Sequence, residues 1–448
     1  MALIKKITAR EILDSRGVPT IEGILIAQDG LEVRAQIPSG ESLGKHEGIE
    51  MRDTDPSRYE GQGVLTAVSY VNSAIAPKLI GVDTKLQNEI DQWLLKADGT
   101  DNYRRLGVNT IMIVSQLILK ASAAEARKPL YEYINSIYNT LYGQKIEITK
   151  VPSPIYNMIN GGKHGTKNLD FQEFHLVPST SKPFSTTLAF AVSAYSGLKH
   201  LFQERNADVS VSEEGGFTPN LFTNTEAFDI IKEVLLSKKL RLGVDIYMGA
   251  DCAPDYFYKN NRYAIKDQAA PLDTKDYIAF LIDAVGKYNM LILEDPIEEE
   301  DYTSWQLLTK EIGEQTYVVA DDFIAGSADR LRKAADKAAC NAVVVKFNQL
   351  ATISEMLKFI ATIREVNMRI VVSQRLGETT DPTIADLSVG VQADFVKFGS
   401  PARGERIVKY NRLLEIEGLL KEHGNLTDLS DKQDQADEQP ADADGTSA

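Results

Sequence analysis

Three carboxylates close apolar runs in the second half of this chain: Asp251 after IYMGA, Glu294 after MLIL and Asp321 after TYVVA. A charge in such surroundings is costly unless it is paired or bound to a cation. Any one of them alone reads more simply as a solvated strand end. Three on successive runs do not, because barrels gather catalytic groups at strand tips. No His or Cys clusters with them, and an all-oxygen set suits Mg²⁺, not zinc. Lys346 lies inside Val-Val-Val-Lys-Phe, and Lys397 inside Phe-Val-Lys-Phe. Each lysine either snorkels out of a strand end or is poised for chemistry. Nearby cations would lower the pKa of Lys346 and let it act as a base near neutral pH.

Other residues could join them. Glu213-Glu214-Gly215-Gly216-Phe217 follows the run DVSVS, and paired glycines let the backbone turn sharply and bring a carboxylate to a ligand. The run RIVVS ends on Gln374 and Arg375. His164 sits in the loop Asn160-Gly161-Gly162-Lys163-His164-Gly165, where a lone histidine is more often bland. His46, His175, His200 and His423 have no metal-ligand spacing. The segment from Ser39 to His46, SGESLGKH, is one residue short of a P-loop and has no Ser or Thr after its lysine. It reads as a mobile loop able to act as a lid. No G-x-G-x-x-G stands between a strand and a helix.

The elements that must position these groups follow from the runs themselves. DVSVSE, IYMGAD, MLILED, TYVVAD, AVVVKF, RIVVSQR and ADFVKF recur with gaps of roughly 20 to 45 residues, room for one helix and its loops. The fold class is therefore α/β, a TIM-type β/α barrel with a smaller N-terminal α+β domain. That smaller domain reads as short alternating strands, then helices over residues 63–76 and 109–127. The expected boundaries are 1–138 for the N-terminal α+β domain, 139–152 for a linker, 153–424 for the barrel and 425–448 for an acidic, disordered tail.

Composition narrows the function classes. The 448 residues carry 64 acids against 49 bases, a net charge of −15, which argues against a nucleic-acid binder. There are two cysteines, Cys252 and Cys340, too few for a disulfide framework. With neither a signal-peptide core nor an 18-residue apolar stretch, the expected location is cytoplasmic, with secondary surface association left open.

Taken in order, DSRGVPT, PSGESLGKHE, NGGKH, DFQEF, EEGGFTPN, ADCAPDYFY, LEDPIEEEDY, VADD, CNAVVVKFNQ, SQRLGETTD, KFGSPARGER and KYNRLLEIE resemble the enolase family. The resemblance runs from about Ile7 to Leu420. It implies a modified TIM-type β/α barrel whose first strands depart from strict β/α alternation. It implies reversible dehydration of 2-phospho-D-glycerate to phosphoenolpyruvate, with two Mg²⁺ ions in the substrate complex. Asp251, Glu294 and Asp321 match ligands of the first ion, and Ser39 a residue holding the second when the lid closes. Lys346 matches the general base and Glu214 the general acid. His164, Gln172, Glu173, Ser373, Gln374, Arg375, Leu376 and Lys397 match substrate-binding positions, with Arg375 at the phosphate.

The chain departs from that pattern at the lid, where Glu41 and Leu43 replace alanine and threonine. In the phosphate loop, Gln374 replaces histidine and Leu376 replaces serine. Leu376 would remove one hydroxyl donor, a loss on the order of 1–3 kcal/mol if the acceptor stays unpaired. Glu213 replaces aspartate, and Glu415 replaces an arginine that in the family faces a carboxylate resembling Glu22 across a homodimer. Like charges there would oppose that dimer. The partners implied are a small phosphorylated hydroxy acid, no nucleic acid and no membrane span. Two alternatives stand beside this reading: a divergent lyase of the same fold acting on another hydroxy acid, and a non-catalytic binding protein.

Overall fold

The computed structural model describes residues 2–40, 47–424 and 426. Glu41 and Leu43 of the expected lid, and the tail apart from Leu426, lie outside these residues.

The chain opens with an antiparallel sheet of β1 (Ile4–Leu13), β2 (Pro19–Ala27) and β3 (Glu32–Gln36). The helix Val108–Glu125 covers it and is buried along nearly its whole length, in keeping with its mostly apolar sequence. Gly23 of β2 permits this contact, since a Cβ there would stand 2.7 Å from the Leu117 side chain. The helix expected over 63–76 is interrupted. Leu65–Ser69 is α-helical and Tyr70–Ile75 opens into a π turn. Asn72 in that turn exchanges two hydrogen bonds with the backbone of Ala9 on β1. Residues 139–142 of the expected linker are the end of the helix Leu130–Tyr142.

The remaining chain builds β4 (Ser153–Asn160), β5 (Glu173–Pro178), β6 (Ile246–Asp251), the small hairpin β7 (Tyr258–Lys259) and β8 (Arg262–Tyr263), then β9 (Met290–Glu294), β10 (Tyr317–Ala320), β11 (Ala342–Lys346), β12 (Arg369–Ser373) and β13 (Phe395–Lys397). Eight strands close into a barrel in the order β10-β11-β12-β13-β4-β5-β6-β9. β5 runs antiparallel to both neighbours and follows β4 without an intervening α-helix; the other pairs are parallel. Strand residues alternate between the helix layer and a plug of Ile155, Val177, Ile292, Val319, Ala342, Val344, Val371 and Phe395. Both faces are dry, which is why the parallel strands read as continuous apolar runs.

One expected run does not form a barrel strand. DVSVSE makes only an isolated bridge between Val211 and Phe217. Asp208 accepts the amide and hydroxyl of Ser210, a local turn that competes with strand pairing. The reversed β5 closes the ring in its place.

Candidate active site

Register brings the polar ends of the strands to one rim. Glu173 pairs with Asp251, Asp251 with Glu294, Lys346 with Ser373 and Ser373 with Lys397. Glu173 joins that rim because β5 is reversed, so its first residue lies beside the last residue of β6. Above the rim lies a cavity of about 380 Å³. His164, Gln172, Glu173, Glu214, Asp251, Asp321, Lys346, Ser373, Gln374, Arg375, Leu376 and Lys397 all line it. Glu294 and Ser39 are not among the lining residues. Glu294 is fully buried beside Lys397. Ser39 donates its hydroxyl to Asp14 at 2.6 Å and pairs through its backbone with Gly377.

Two lysines organise the carboxylates. Lys397 Nζ lies 2.7 Å from Glu294, 3.2 Å from Asp251 and 3.5 Å from Glu173. Burial pushes its pKa down, but these carboxylates raise it well above the ordinary lysine value. Lys346 contacts Asp321. Burial, Arg375 and Lys397 push its proton affinity down, yet Asp321 and Asp322 outweigh them and its pKa is raised. The expected neighbouring cations, Arg375 and Lys397, do act in the expected direction, but the Asp321 and Asp322 carboxylates prevail.

Two carboxylates on the opposite side are driven apart. Burial and the adjacent Glu173 raise the pKa of Glu214, against the pull of His164 and Arg406. Burial also opposes ionisation of Glu173, but Lys397 and hydrogen bonds from His164 and His175 hold it well below the ordinary value. Of the two, Glu214 is shifted toward the protonated form and Glu173 toward the ionised form, a division suited to one acid beside one anion. The turn Ser212–Gly215 carries Glu214, with Gly215 at φ +88 and the Glu214 amide on Ser212 Oγ.

The carboxylate cluster fits a hard dication. Glu294 Oε2 is buried and accepts no hydrogen bond from the described residues. Burial, together with Asp251 and Asp321, raises the pKa of Glu294 despite Lys397; burial and Asp321 do the same for Asp295 and bring Asp322 to about 7. The local cations therefore leave negative charge uncompensated, and the donors are all oxygen. Among the described residues, Asp295, Asp321 and Asp322 have ligand atoms within 4.8 Å of one another, as do His164, Glu173 and Glu214. Asp251 and Glu294 are instead linked to each other through Lys397.

Several residues here were not singled out from the sequence. Glu47 holds Arg375 with both carboxylate oxygens, at 2.8 and 3.0 Å. Asp295 receives the backbone N–H groups of Asp321 and Asp322. Arg406, fully buried, donates to Gln374 and to the backbone oxygens of Glu213, Arg375 and Leu376. Asn157 in IYNMIN carried a readable signal, a polar residue inside an apolar strand, the same signal that marked Lys346.

Comparisons with known proteins agree on one family. Residues 4–134 match the model described as "Enolase, N-terminal domain", and residues 148–434 match "Enolase, C-terminal TIM barrel domain". The enolase of Ehrlichia canis (strain Jake) is 39% identical over 417 residues, covering 93% of this chain and 96% of that protein. Those of Ehrlichia ruminantium (strain Welgevonden) and Ehrlichia chaffeensis (strain ATCC CRL-10679 / Arkansas) are 38% and 37% identical over the same shares. The chain belongs to the enolase family, a family of lyases that implies a divalent metal.

Proposed function

We propose that this member of the enolase family catalyses the Mg²⁺-dependent, reversible dehydration of 2-phospho-D-glycerate to phosphoenolpyruvate. One observation carries the reading: Lys346, Glu214, the Asp251–Asp321 carboxylates and Arg375 line a single cavity. The proton to be removed lies α to a carboxylate and is very weakly acidic. Lys346 takes it as the free amine, a form that a cation bound at Asp321 would favour by offsetting the carboxylates that hold the ammonium, and Glu214, neutral at the start, passes its proton to the departing hydroxyl on the next carbon. Bound Mg²⁺ would supply positive charge for the substrate carboxylate as its electron density grows, as in enolase-superfamily sites generally. Asp251, Glu294 and Asp321 would hold it, with Ser39 assigned to a second ion in the substrate complex. Arg375 faces the phosphate, with Ser373 and the backbone beside Leu376 at the same end. His164, Gln172, Glu173, Gln374 and Lys397 complete the pocket.

The test is direct. Purified protein with Mg²⁺ is given 2-phosphoglycerate, and phosphoenolpyruvate is followed by its ultraviolet absorbance. Turnover is expected in the wild type, with a loss of about 10²-fold or more in Lys346→Ala. Absent wild-type turnover refutes the substrate. Activity retained in Lys346→Ala refutes the assignment of the base.

A further inference from the structure

Gln374 stands where the resemblance places a histidine, and its amide is committed at both ends. Its Oε1 accepts from Arg406 Nη1 at 2.6 Å, and its Nε2 donates to Glu214 Oε1 at 3.1 Å. The orientation is not free. A guanidinium can only donate, so the atom facing Arg406 must be the carbonyl oxygen, and the atom facing Glu214 must be the NH₂. Arg406 is itself locked by the backbone oxygens of Glu213, Arg375 and Leu376, which joins the turn carrying Glu214 to the loop after β12. On the other side Asn157 Nδ2 donates to Glu214 Oε2 at 3.0 Å, and Asn157 is held in turn by Asn160.

We propose that Gln374, clamped by Arg406, is a positioning residue for the proton donor. Together with Asn157 it grips the Glu214 carboxyl by both oxygens and leaves only their remaining lone pairs for the transferable proton. The inference rests on the proposed dehydration reading of the site. Beyond the two amides, the charged or titratable groups facing Glu214 are Glu173 from β5, His164 from the loop after β4, and Arg406 and Tyr410 from the helix Gly404–Glu422.

Gln374→Glu is the decisive variant, since it keeps an acceptor for Arg406 and replaces the N–H facing Glu214 by a carboxylate oxygen. The expected result is a kcat lower by about tenfold or more with KM within about twofold. A lost donor and an added like charge both favour the protonated form of Glu214. Because Glu214 acts while protonated, the alkaline limb of the kcat profile moves to higher pH. Gln374→His should retain most of the kcat, because a neutral imidazole offers one acceptor nitrogen to Arg406 and one donor to Glu214. Wild-type kcat and an unmoved limb in Gln374→Glu overturn the proposal. So does a raised KM at unchanged kcat, which would make Gln374 a substrate contact instead.

A second readout does not need turnover. In protein labelled with ¹³C at glutamate carboxyls, the Glu214 resonance, assigned through Glu214→Gln, is titrated in the wild type, Gln374→Glu and Gln374→Leu. Both variants should titrate at higher pH than the wild type, and equal midpoints overturn the proposal. If Gln374→Glu does not fold, Gln374→Leu carries the same comparison. If the wild type lacks turnover on 2-phosphoglycerate, the reaction reading fails while this titration still decides the role of Gln374.

Discussion

Glu47 and Arg375 form a buried, two-pronged ion pair across 328 positions of sequence. Burial alone would raise the pKa of Glu47, but Arg375, Lys346 and Gln349 bring it down to about 2. A carboxylate depressed in the folded state adds stability above its unfolded pKa and loses it as pH falls through the folded value. From the ordinary glutamate value to about 2, that contribution is about 3 kcal/mol at neutral pH. Urea unfolding of Glu47→Gln should therefore show a deficit near pH 7 that shrinks between about pH 4.5 and 2. A deficit independent of pH would contradict this. Arg375 was visible as a candidate because it ends an apolar run, and the family resemblance placed it at the phosphate. Glu47 was not, because nothing local marks which distant cation a loop carboxylate will meet.

At the scale of elements, the turn bearing Glu214 depends on glycine for space. A Cβ on Gly216 would lie 2.1 Å from Asn160 Oδ1 and 3.1 Å from Asn157 Oδ1. Gly216→Ala must therefore displace the two asparagines that steady Glu214. We expect about 1–3 kcal/mol lost from stability and a fall in kcat larger than any change in KM, read by thermal unfolding and steady-state kinetics. Unchanged kcat would mean that the asparagines do not steady the acid. The runs that became β6 and β9 to β13 were legible because strands buried on both faces must be apolar throughout. The DVSVSE run misled because alternation marks a strand only when the ring has a place for it. β5, with Glu173, Phe174 and His175 in FQEFHLVP, carries charges that hide a buried strand.

At the scale of the molecule, the N-terminal sheet and its helix are fastened to the barrel rim. Asp381 receives Lys120 Nζ at 2.6 Å and the Gln36 backbone N–H at 2.9 Å, while Ser39 and Gly377 exchange backbone hydrogen bonds. Asp381→Asn leaves the Lys120 ammonium without its counter-charge, a loss of about 3 kcal/mol for a mostly buried pair. It should also weaken the attachment that presents Ser39 to the rim, so that KM for 2-phosphoglycerate rises. Chemical denaturation and kinetics on one preparation check both; intact stability would show that this contact does not fasten the two parts. No helix among the described residues is long and apolar enough to cross a membrane.

The sequence by itself determined the local terms: which runs are apolar enough to be buried strands, which residues end them, and through its ordered motifs the family. Only the tertiary structure decided that β5 runs backwards, and hence that Glu173 meets Asp251 at the rim. Only it paired Glu47 with Arg375, and only it set Gln374 between Arg406 and Glu214. Strand propensity and apolar burial depend on near neighbours along the chain. Barrel closure and ion pairing depend on which distant groups share one small, dry volume, and that is settled when the ring closes.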